Sequence, residues 1–405
     1  MKILAVSTFA HPDYFGGAER VVSVVAEGLA QRGHDVTLLT GHDQKTLSEE
    51  EREGVHVVRY PVVRGKPTTF YRSVWSGVRR ALAEGVGGDA ELLHLHQPLS
   101  AVAAIAPGTP KKLPRLYSFY APYHLEYLAR YRQGRDSGVA PWPQRCIASV
   151  LRRADRYLLT QSEEVVALSD FSLRQIEALA PSVATRTTIA PAGVDLERFH
   201  PPEDADQRRL ARARLGMEND DIPWLITVRR LVSRMGLEDL LKACAELAAK
   251  NVPFRLAIAG EGELRVELEA LTVRLGLSAQ VRFLGRLADE QLSDLYRAAQ
   301  VFALPTRSLE GFGMVTAEAL AAGLVVVATD AGATGEILAD VPGAQLVPAG
   351  NPSRLAAALA HVLSNPQARR EASHAARAHA ESHLTWDRHL NALERAAHRL
   401  TSRSP

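Results

Sequence analysis

The sequence contains very little cysteine. Only Cys146 and Cys244 occur among its 405 residues, far apart and without metal-ligand spacing. This excludes a disulfide-stapled fold and the common zinc modules. The expected environment is a reducing one, the cytoplasm.

Long apolar runs and a one-sided charge are also missing. The short run Ile3–Ser7 soon meets His11-Pro-Asp13, so we interpret it as a first buried strand, not a signal peptide or membrane span. A net charge of only +2 argues against a nucleic-acid partner. With 46% hydrophobic and 23% charged residues, the composition is that of a soluble globular protein of two or three domains.

Short apolar strands alternate with helical patterns along the chain, which predicts an α/β fold with parallel sheets covered on both faces. The stretch Pro201–Asp221 is polar and weakly patterned, and the alternation restarts after it. We therefore predict two doubly wound domains. The strands expected in the second are Trp224–Val228, Phe254–Gly260, Val281–Gly285, Val301–Leu304 and Val325–Asp330. The helices expected there are Leu237–Ala249, Asp289–Ala299 and Gly313–Ala322, with a further helical segment over His374–Leu400.

The most informative run is Glu310-Gly-Phe-Gly-Met-Val-Thr-Ala-Glu318, which follows an apolar strand. Its two carboxylates are eight residues apart around glycines that open a helix. That spacing is about two helical turns, so we expect both carboxylates on one helix face. The free N–H groups at the helix start favour a phosphate, with carboxylates beside it for sugar hydroxyls.

A second cluster, Arg229, Arg230 and Arg234, directly follows strand Trp224–Val228. Guanidinium groups at the carboxyl end of a strand suit a pyrophosphate, because they stay charged and bind phosphate oxygens in pairs. Surface arginines near a helix start are the alternative, but positive charge is unfavourable there without an anion.

Two glycine-containing turns are ambiguous. Gly16-Gly17 opens a helix after the first strand, and Gly260-Glu-Gly262 follows a later strand. Either turn suits a phosphate, and either is explained equally by tight turn geometry. The spacing is not the dinucleotide fingerprint, which makes a simple dehydrogenase improbable.

The histidines and a basic segment leave further alternatives open. His11, His94, His96 and His124 fall near strand ends, as cleft residues or as hydrogen-bonded structural ones. Residues 111–160 carry ten Lys/Arg against three acids, interleaved with aromatic residues. This segment suits an anionic membrane surface or acidic acceptor, or is simply a solvated face.

Taken together, these runs resemble retaining GT-B glycosyltransferases of family 4. The Glu310–Glu318 run resembles their E-x7-E motif. The other matching segments follow in the family's order over nearly the whole chain: Gly16–Arg20, Ala192–Phe199, Arg230–Val232, Ala259–Gly262 and Phe283–Arg286. The resemblance implies two Rossmann-like domains facing across a cleft. These would be an acceptor domain, 1–200, a nucleotide-sugar domain, 201–379, and a helix, 380–405, crossing back.

The resemblance also implies roles for single residues. Glu318 would hold the nucleotide ribose and Glu310 the donor sugar, with Arg230 on the diphosphate. The other implied donor-site residues are Gly17, Gly260, Gly262, Arg286, Gly311, Phe312 and Gly313. No metal or cofactor is expected, because cations and helix ends would neutralise the leaving group.

The chain departs from the family at two places. Met235 stands where the family usually has a lysine that stabilises the diphosphate, and we expect Arg234 to replace it. Tyr120 stands where many relatives carry a histidine near the reacting sugar, with His124 four residues later. These two and His96 are the acceptor-side candidates.

The function expected from this resemblance is retaining, metal-independent hexosyl transfer. The donor would be a UDP- or GDP-sugar and the acceptor a hydroxyl group, lipid-linked or on a glycan. A sugar-nucleotide epimerase and a catalytically silent nucleotide-sugar-binding protein are the alternatives. The expected location is the cytoplasm, with residues 111–160 as a candidate peripheral contact at the inner membrane face.

Overall fold

Two separate hydrophobic cores organise the chain, one in each of two units. The computed structural model describes residues 1–14, 16–43, 49–108, 113–131, 140–218 and 221–402. The first unit holds residues 1–131, 140–191 and those from Asp387 onward, and the second holds 192–386.

The first unit is built on an eight-stranded sheet in the order β3-β4-β2-β1-β5-β6-β7-β8. All neighbouring strands are parallel except β3 and β4, which pair antiparallel at one edge. The strands are β1 (Lys2–Val6), β2 (Asp35–His42), β3 (Glu49–Arg52), β4 (Val55–Pro61), β5 (Leu92–Leu95), β6 (Arg115–Phe119), β7 (Glu164–Ala167) and β8 (Thr187–Ile189).

Amphipathic helices cover this sheet. The first of them buries residues at helical spacing, from Val21 and Val25 to Leu29. The helices are α1 (Gly17–Gln31), α2 (Pro67–Ala83), α3 (Pro98–Ile105), α4 (Tyr123–Tyr131), α5 (Trp142–Gln161) and α6 (Asp170–Leu179).

The second unit has a six-stranded, all-parallel sheet in the order β11-β10-β9-β12-β13-β14. Its strands are β9 (Trp224–Val228), β10 (Arg255–Ala259), β11 (Val281–Gly285), β12 (Val301–Leu304), β13 (Val325–Asp330) and β14 (Gln345–Pro348). Its helices are α7 (Ala205–Arg214), α8 (Leu237–Ala249), α9 (Arg265–Arg274), α10 (Asp289–Ala298), α11 (Met314–Ala321), α12 (Thr334–Leu338), α13 (Pro352–Leu363) and α14 (Pro366–His383). Parallel strands between helical layers confirm the predicted α/β fold class.

The last helix, α15 (Trp386–Thr401), lies in the first unit from Asp387 onward. Arg32 donates to the carboxylates of both Asp387 and Glu394 at 2.6 Å. Arg399 reaches Glu164 at 3.0 Å. These ion pairs secure the helix beside the first sheet.

The structure adds detail to two segments of the sequence analysis. The weakly patterned stretch Pro201–Asp221 contains a helix, α7, whose start is capped because Asp204 accepts from the backbone of Gln207 at 2.8 Å. The segment His374–Leu400 is helical, as predicted, and is divided between the end of α14 and most of α15. The chain turns at Leu384, whose carbonyl accepts from the backbone of Val194 at 2.8 Å.

In the described ranges, no helix is both long and apolar enough to cross a membrane.

Candidate functional site

In the second sheet the direction of chain progression reverses between β9 and β12. The chain runs outward from β9 through β10 to β11, then returns to place β12 on the other side of β9. Ligands of doubly wound sheets bind at such a reversal, beside the carboxyl ends of the strands. The arginine cluster follows β9 and the carboxylate run follows β12, so both predicted motifs meet at this edge.

Glu310 lies before the helix of this site and not on its face. That helix, α11, starts at Met314, and Gly313 precedes it with φ +89°. Leu309, just before Glu310, also has a left-handed backbone at φ +59°. These conformations turn the chain before the helix begins, so the expectation of two carboxylates on one helix face was wrong. Only Glu318 is helical.

Glu310 is held by a buried cation. Its Oε2 accepts from Arg229 Nη2 at 2.5 Å and from the Thr306 hydroxyl at 3.2 Å. Burial alone would raise the pKa of this carboxyl. The guanidinium groups of Arg229 and Arg234 and the Thr306 hydroxyl lower it overall. Glu310 is therefore a carboxylate, an acceptor for hydroxyl groups and not a proton donor.

The three arginines after β9 have different surroundings. The Arg229 side chain is only 3% exposed, whereas Arg230 is exposed to solvent. Arg234 lies between these extremes and donates from Nη1 to the carbonyl of Leu309 at 3.2 Å. Of the arginines assigned from the sequence, Arg234 is thus next to the carboxylate loop, and Arg230 has no side-chain hydrogen bond to any described residue.

The glycines after β10 have a clear steric role. A Cβ on Gly260, whose φ is +134°, would lie 1.8 Å from the carbonyl oxygen of Arg229. A Cβ on Gly262 would lie 2.4 Å from that of Leu231. Backbone hydrogen bonds join the same two loops, from Arg229 to Ala259 and from Leu231 to Glu261. These glycines bring the β10 loop against the arginine loop.

The beginning of α11 completes this edge. Phe312 is buried, and the Gly313 carbonyl accepts from the backbone of Thr316 at 2.8 Å. Glu318 is buried one turn further, where the hydroxyl of Tyr296 donates to it at 2.8 Å. Of the remaining donor-site residues, Gly311 lies in the turn before α11, and Arg286 is exposed after β11.

In the first unit, His96 and Tyr120 are hydrogen-bonded to each other at 2.7 Å. His96 follows β5 and Tyr120 follows β6, which are adjacent strands. Burial, with His94 and His389 nearby, holds the pKa of His96 well below its ordinary value. Burial lowers the pKa of His94 to about 3, where its ring meets the Ser118 hydroxyl at 2.9 Å. These imidazoles are neutral at physiological pH.

The other candidates in the first unit have separate surroundings. His124, on α4, donates from Nδ1 to the buried carboxylate of Asp155 on α5 at 2.7 Å. This interaction joins the two helices. His124 thus has the surroundings of a hydrogen-bonded structural histidine, the second of the two interpretations left open by the sequence. Gly17 is exposed at the first position of α1.

Sequence reasoning missed several residues that the structure adds to the second-unit site. Arg229 was only one of three arginines, and nothing in the pattern identified it as the buried one. Thr306 and Tyr296 were not considered, although each contacts one of the two glutamates. β9 is buried without alternation from Trp224 to Thr227, so its sequence carries no signal that separates Arg229 from Arg230.

Within the described parts of the chain, no group of three or more His, Cys, Asp or Glu side chains is arranged to hold a metal ion.

The chain has the GT-B fold of glycosyltransferases, with two units that are each built on a doubly wound, mainly parallel sheet. A solved structure of this class, sucrose-phosphate synthase from Thermosynechococcus elongatus, matches with a TM-score of 0.83. The match covers 100% of both chains at 22% sequence identity, so it supports the fold alone.

The chain belongs to glycosyltransferase family 4. The family model described as Glycosyltransferase Family 4 matches residues 15–198, and the model described as Glycosyl transferases group 1 matches residues 212–379. Together the two models cover most of the chain, with the motifs of the second-unit site inside the second match. The resemblance to family 4 that the sequence motifs indicate is confirmed.

Two curated relatives show how far the likeness extends. A D-inositol 3-phosphate glycosyltransferase of Saccharomonospora viridis is 29% identical over 93% of this chain and 88% of its own length. A GDP-mannose-dependent monoacylated alpha-(1-6)-phosphatidylinositol monomannoside mannosyltransferase of Corynebacterium glutamicum is 31% identical over 58% of this chain. The chain spans 62% of the length of that second relative.

Proposed function

We propose that this chain transfers a hexosyl group from a nucleotide diphosphate sugar to a hydroxyl acceptor, with retention of anomeric configuration. The observation that carries the proposal is the buried Glu310 carboxylate, held ionised by arginine beside the start of α11. Glu318 lies further along the same helix. One group accepts from sugar hydroxyls, the helix end favours the diphosphate, and the second carboxylate accepts from a ribose.

The chemistry requires stabilisation of the leaving group. The anomeric C–O bond breaks with its electron pair moving to the nucleoside diphosphate, while the acceptor oxygen forms the new bond on the same face. The acceptor proton passes to an oxygen of the departing phosphate, so no protein base is assigned. Fixed cations stabilise the developing charge more than the ground state, which lowers the barrier.

The donor nucleotide is proposed to be GDP or UDP. The Corynebacterium relative is named as GDP-mannose-dependent, which favours guanosine. Thermal unfolding with UDP-, GDP- and ADP-sugars tests this, because a ligand that binds only the folded state raises Tm by mass action. We expect one purine or pyrimidine diphosphate sugar to raise Tm well above the others.

The acceptor is proposed to be an anionic, phosphorylated polyol, free or lipid-linked. The names of both relatives include a phosphorylated inositol. The first unit of this chain has an exposed face on α5 that suits an anionic lipid surface. Trp142 is 75% exposed and Val150 60%, and Arg152, Arg153 and Arg156 are exposed on the same helix. Aromatic and basic side chains together bind such interfaces.

Cosedimentation with vesicles tests the surface. Wild type is expected to pellet with phosphatidylglycerol vesicles and not with neutral phosphatidylcholine. The triple Arg152→Ala, Arg153→Ala, Arg156→Ala variant is expected to stay in solution. Replacing three exposed arginines elsewhere is the matched control for net charge: Arg274, Arg354 and Arg370. Equal pelleting of both triple variants would remove the membrane role and leave a soluble acceptor. Of the other basic residues of the predicted segment, four lie outside the described residues: Lys111, Lys112, Arg132 and Arg135.

Turnover of the donor tests the proposed reaction. Glu310→Ala is expected to lose donor turnover by about a hundredfold or more, as removal of one charge-stabilising contact usually does. Arg230→Ala is the second variant. Wild-type rates in both would contradict the assignment. Release of free nucleotide and an epimerised sugar without any acceptor would identify an epimerase. Donor binding without turnover for any acceptor would identify a silent binding protein.

A further inference from the structure

Arg229 is the most buried cation of the second-unit site. It is the first residue after β9, and its side chain is 3% exposed. Nη2 donates to Glu310 Oε2 at 2.5 Å and lies 3.1 Å from Met235 Sδ. The Glu310 carboxylate and the Met235 thioether together hold the guanidinium in place through Nη2.

The same guanidinium has unused hydrogen-bonding capacity. Nε and Nη1 are buried and have no partner among the described residues. A buried N–H without a partner is costly, more so when it is part of a charged group. Guanidinium N–H groups in a fixed fork match the spacing of phosphate oxygens. The two free donors therefore indicate an anionic ligand.

A second buried polar group without a partner among the described residues lies near Glu310. Thr316, in the first turn of α11, has a buried hydroxyl without a partner in the described part of the chain. A Cβ on Gly313 would lie 3.2 Å from that hydroxyl and 3.6 Å from Glu310 Cγ. The start of α11 is thus next to the Glu310 side chain, which in turn binds Arg229, and the three form one site.

The neighbouring arginines do not offer the same donors. Arg230 is exposed, where water screens its charge. Arg234 uses Nη1 on the Leu309 carbonyl at 3.2 Å. Met235, beside the Arg229 guanidinium, carries no charge at all. The cation next to Met235 is therefore Arg229, the residue that directly follows β9.

We propose that Arg229 binds the leaving diphosphate through Nε and Nη1 while Nη2 stays on Glu310, and so supplies the positive charge that Met235 lacks. This inference rests on the proposed function and names a residue that it did not include. It replaces the expectation that Arg234 takes that role. The guanidinium transfers no proton. It stabilises the charge that the diphosphate gains as the anomeric bond breaks, and it orients the carboxylate that receives the sugar.

Calorimetry with UDP, GDP and the matching nucleosides tests this role. We expect Arg229→Met to weaken binding of the diphosphate that wild type prefers about a hundredfold, and to leave binding of the nucleoside unchanged. A merely structural role would weaken both ligands alike. Arg274→Met, an exposed arginine on α9, is the matched control and is expected to bind like wild type.

An exchange variant keeps the test decisive if Arg229→Met folds poorly. Arg229→Met combined with Met235→Lys restores a cation beside Glu310 from the opposite position. We expect it to recover at least about tenfold of the lost diphosphate affinity, since one charge-assisted contact is regained. Arg229→Lys, which keeps the charge without the fork, is expected to lie between wild type and Arg229→Met.

The outcomes separate the two proposals. Wild type that binds none of the diphosphates overturns the proposed function. Wild type that binds and turns over donor, while Arg229→Met retains the diphosphate-to-nucleoside affinity ratio, overturns only the role of Arg229. An exchange variant that folds but recovers no affinity also overturns it.

Discussion

The clusters of polar side chains at the strand ends of the two units differ in charge. At the edge of the second sheet, Arg229 and Glu310 are both buried and both charged, and two donors of the arginine have no partner in the described part of the chain. In the first unit, His94 and His96 are buried and neutral, and each meets a hydroxyl group. The comparison separates a charged cluster at the strand ends of the second unit from a neutral one at the strand ends of the first.

The largest expected difference between the units concerns turnover. Glu310→Gln removes an ionised acceptor and leaves Arg229 buried without its carboxylate, so we expect a loss of about 2.7–4 kcal/mol in transition-state stabilisation. Tyr120→Phe removes one neutral hydrogen bond to His96, about 0.5–1.5 kcal/mol. Steady-state kinetics on both variants measures the two losses. Equal losses would show that the charged and neutral regions contribute alike.

A second prediction concerns how tightly the second-unit site is packed. Gly236 and Gly276 both have φ +70°, but a Cβ on Gly236 would lie 1.8 Å from the Pro305 carbonyl oxygen, whereas nothing lies near Gly276. Both alanine variants pay the left-handed strain of about 1–2 kcal/mol. Gly236→Ala is expected to lose about 1–3 kcal/mol more from overpacking. Chemical denaturation measures both free energies of unfolding, and similar values would show that the loop after β12 moves freely.

The third prediction uses pH to examine the first unit. Burial lowers the pKa of His94 from its ordinary value of 6.5 to about 3. The unfolded chain therefore binds this proton at a higher pH than the folded chain. Stability is fully present above pH 6.5 and is lost as pH falls from there toward 3. The slope per histidine approaches about 1.4 kcal/mol per pH unit.

Replacement of the histidine isolates its contribution. His94→Asn keeps a polar partner for Ser118 without the titration, so its free energy of unfolding is expected to vary less steeply with pH over that window. His361→Asn, at an exposed position on α13, is the control and should keep the wild-type slope. An unchanged slope in His94→Asn would mean that the buried ring is protonated in the folded protein.

The smallest expected effect returns to the second unit. Tyr296→Phe removes the hydroxyl that donates to Glu318 at 2.8 Å. We expect nucleotide affinity to fall by the equivalent of about 0.5–1.5 kcal/mol, because the carboxylate loses one orienting partner and keeps its charge. Calorimetry with the preferred nucleoside diphosphate measures this. A loss as large as that of Glu310→Gln would contradict a merely orienting role.

Much of the second unit could be predicted because its central strands, β9, β10, β12 and β13, are almost wholly buried. β9, β11, β12 and β13 have the bounds that the apolar runs predict. β14 was missed because its residues are only partly buried and edge strands lack a continuous apolar run. β3, Glu49–Arg52, was missed because it is wholly polar and pairs only along one edge.

The site was predictable in composition but not in conformation. The spacing of Glu310 and Glu318 predicts two carboxylates at this site, but the left-handed turn at Leu309 takes the first carboxylate off the helix. Arg229 and Arg230 are adjacent, and the sequence does not distinguish them. Only the direction in which each side chain leaves the end of β9 decides that Arg229 is buried and Arg230 exposed.

The helix α15 has a consequence for how the protein is made. Its residues from Asp387 onward complete the first unit through Arg32 and Glu164, yet they leave the ribosome after every residue of the second unit. The strands of the first sheet are synthesised early, but their ion pairs with α15 form only after the last helix has been synthesised. The unit translated second is thus the first that has all its parts, and it can finish folding while the amino-terminal unit is still incomplete.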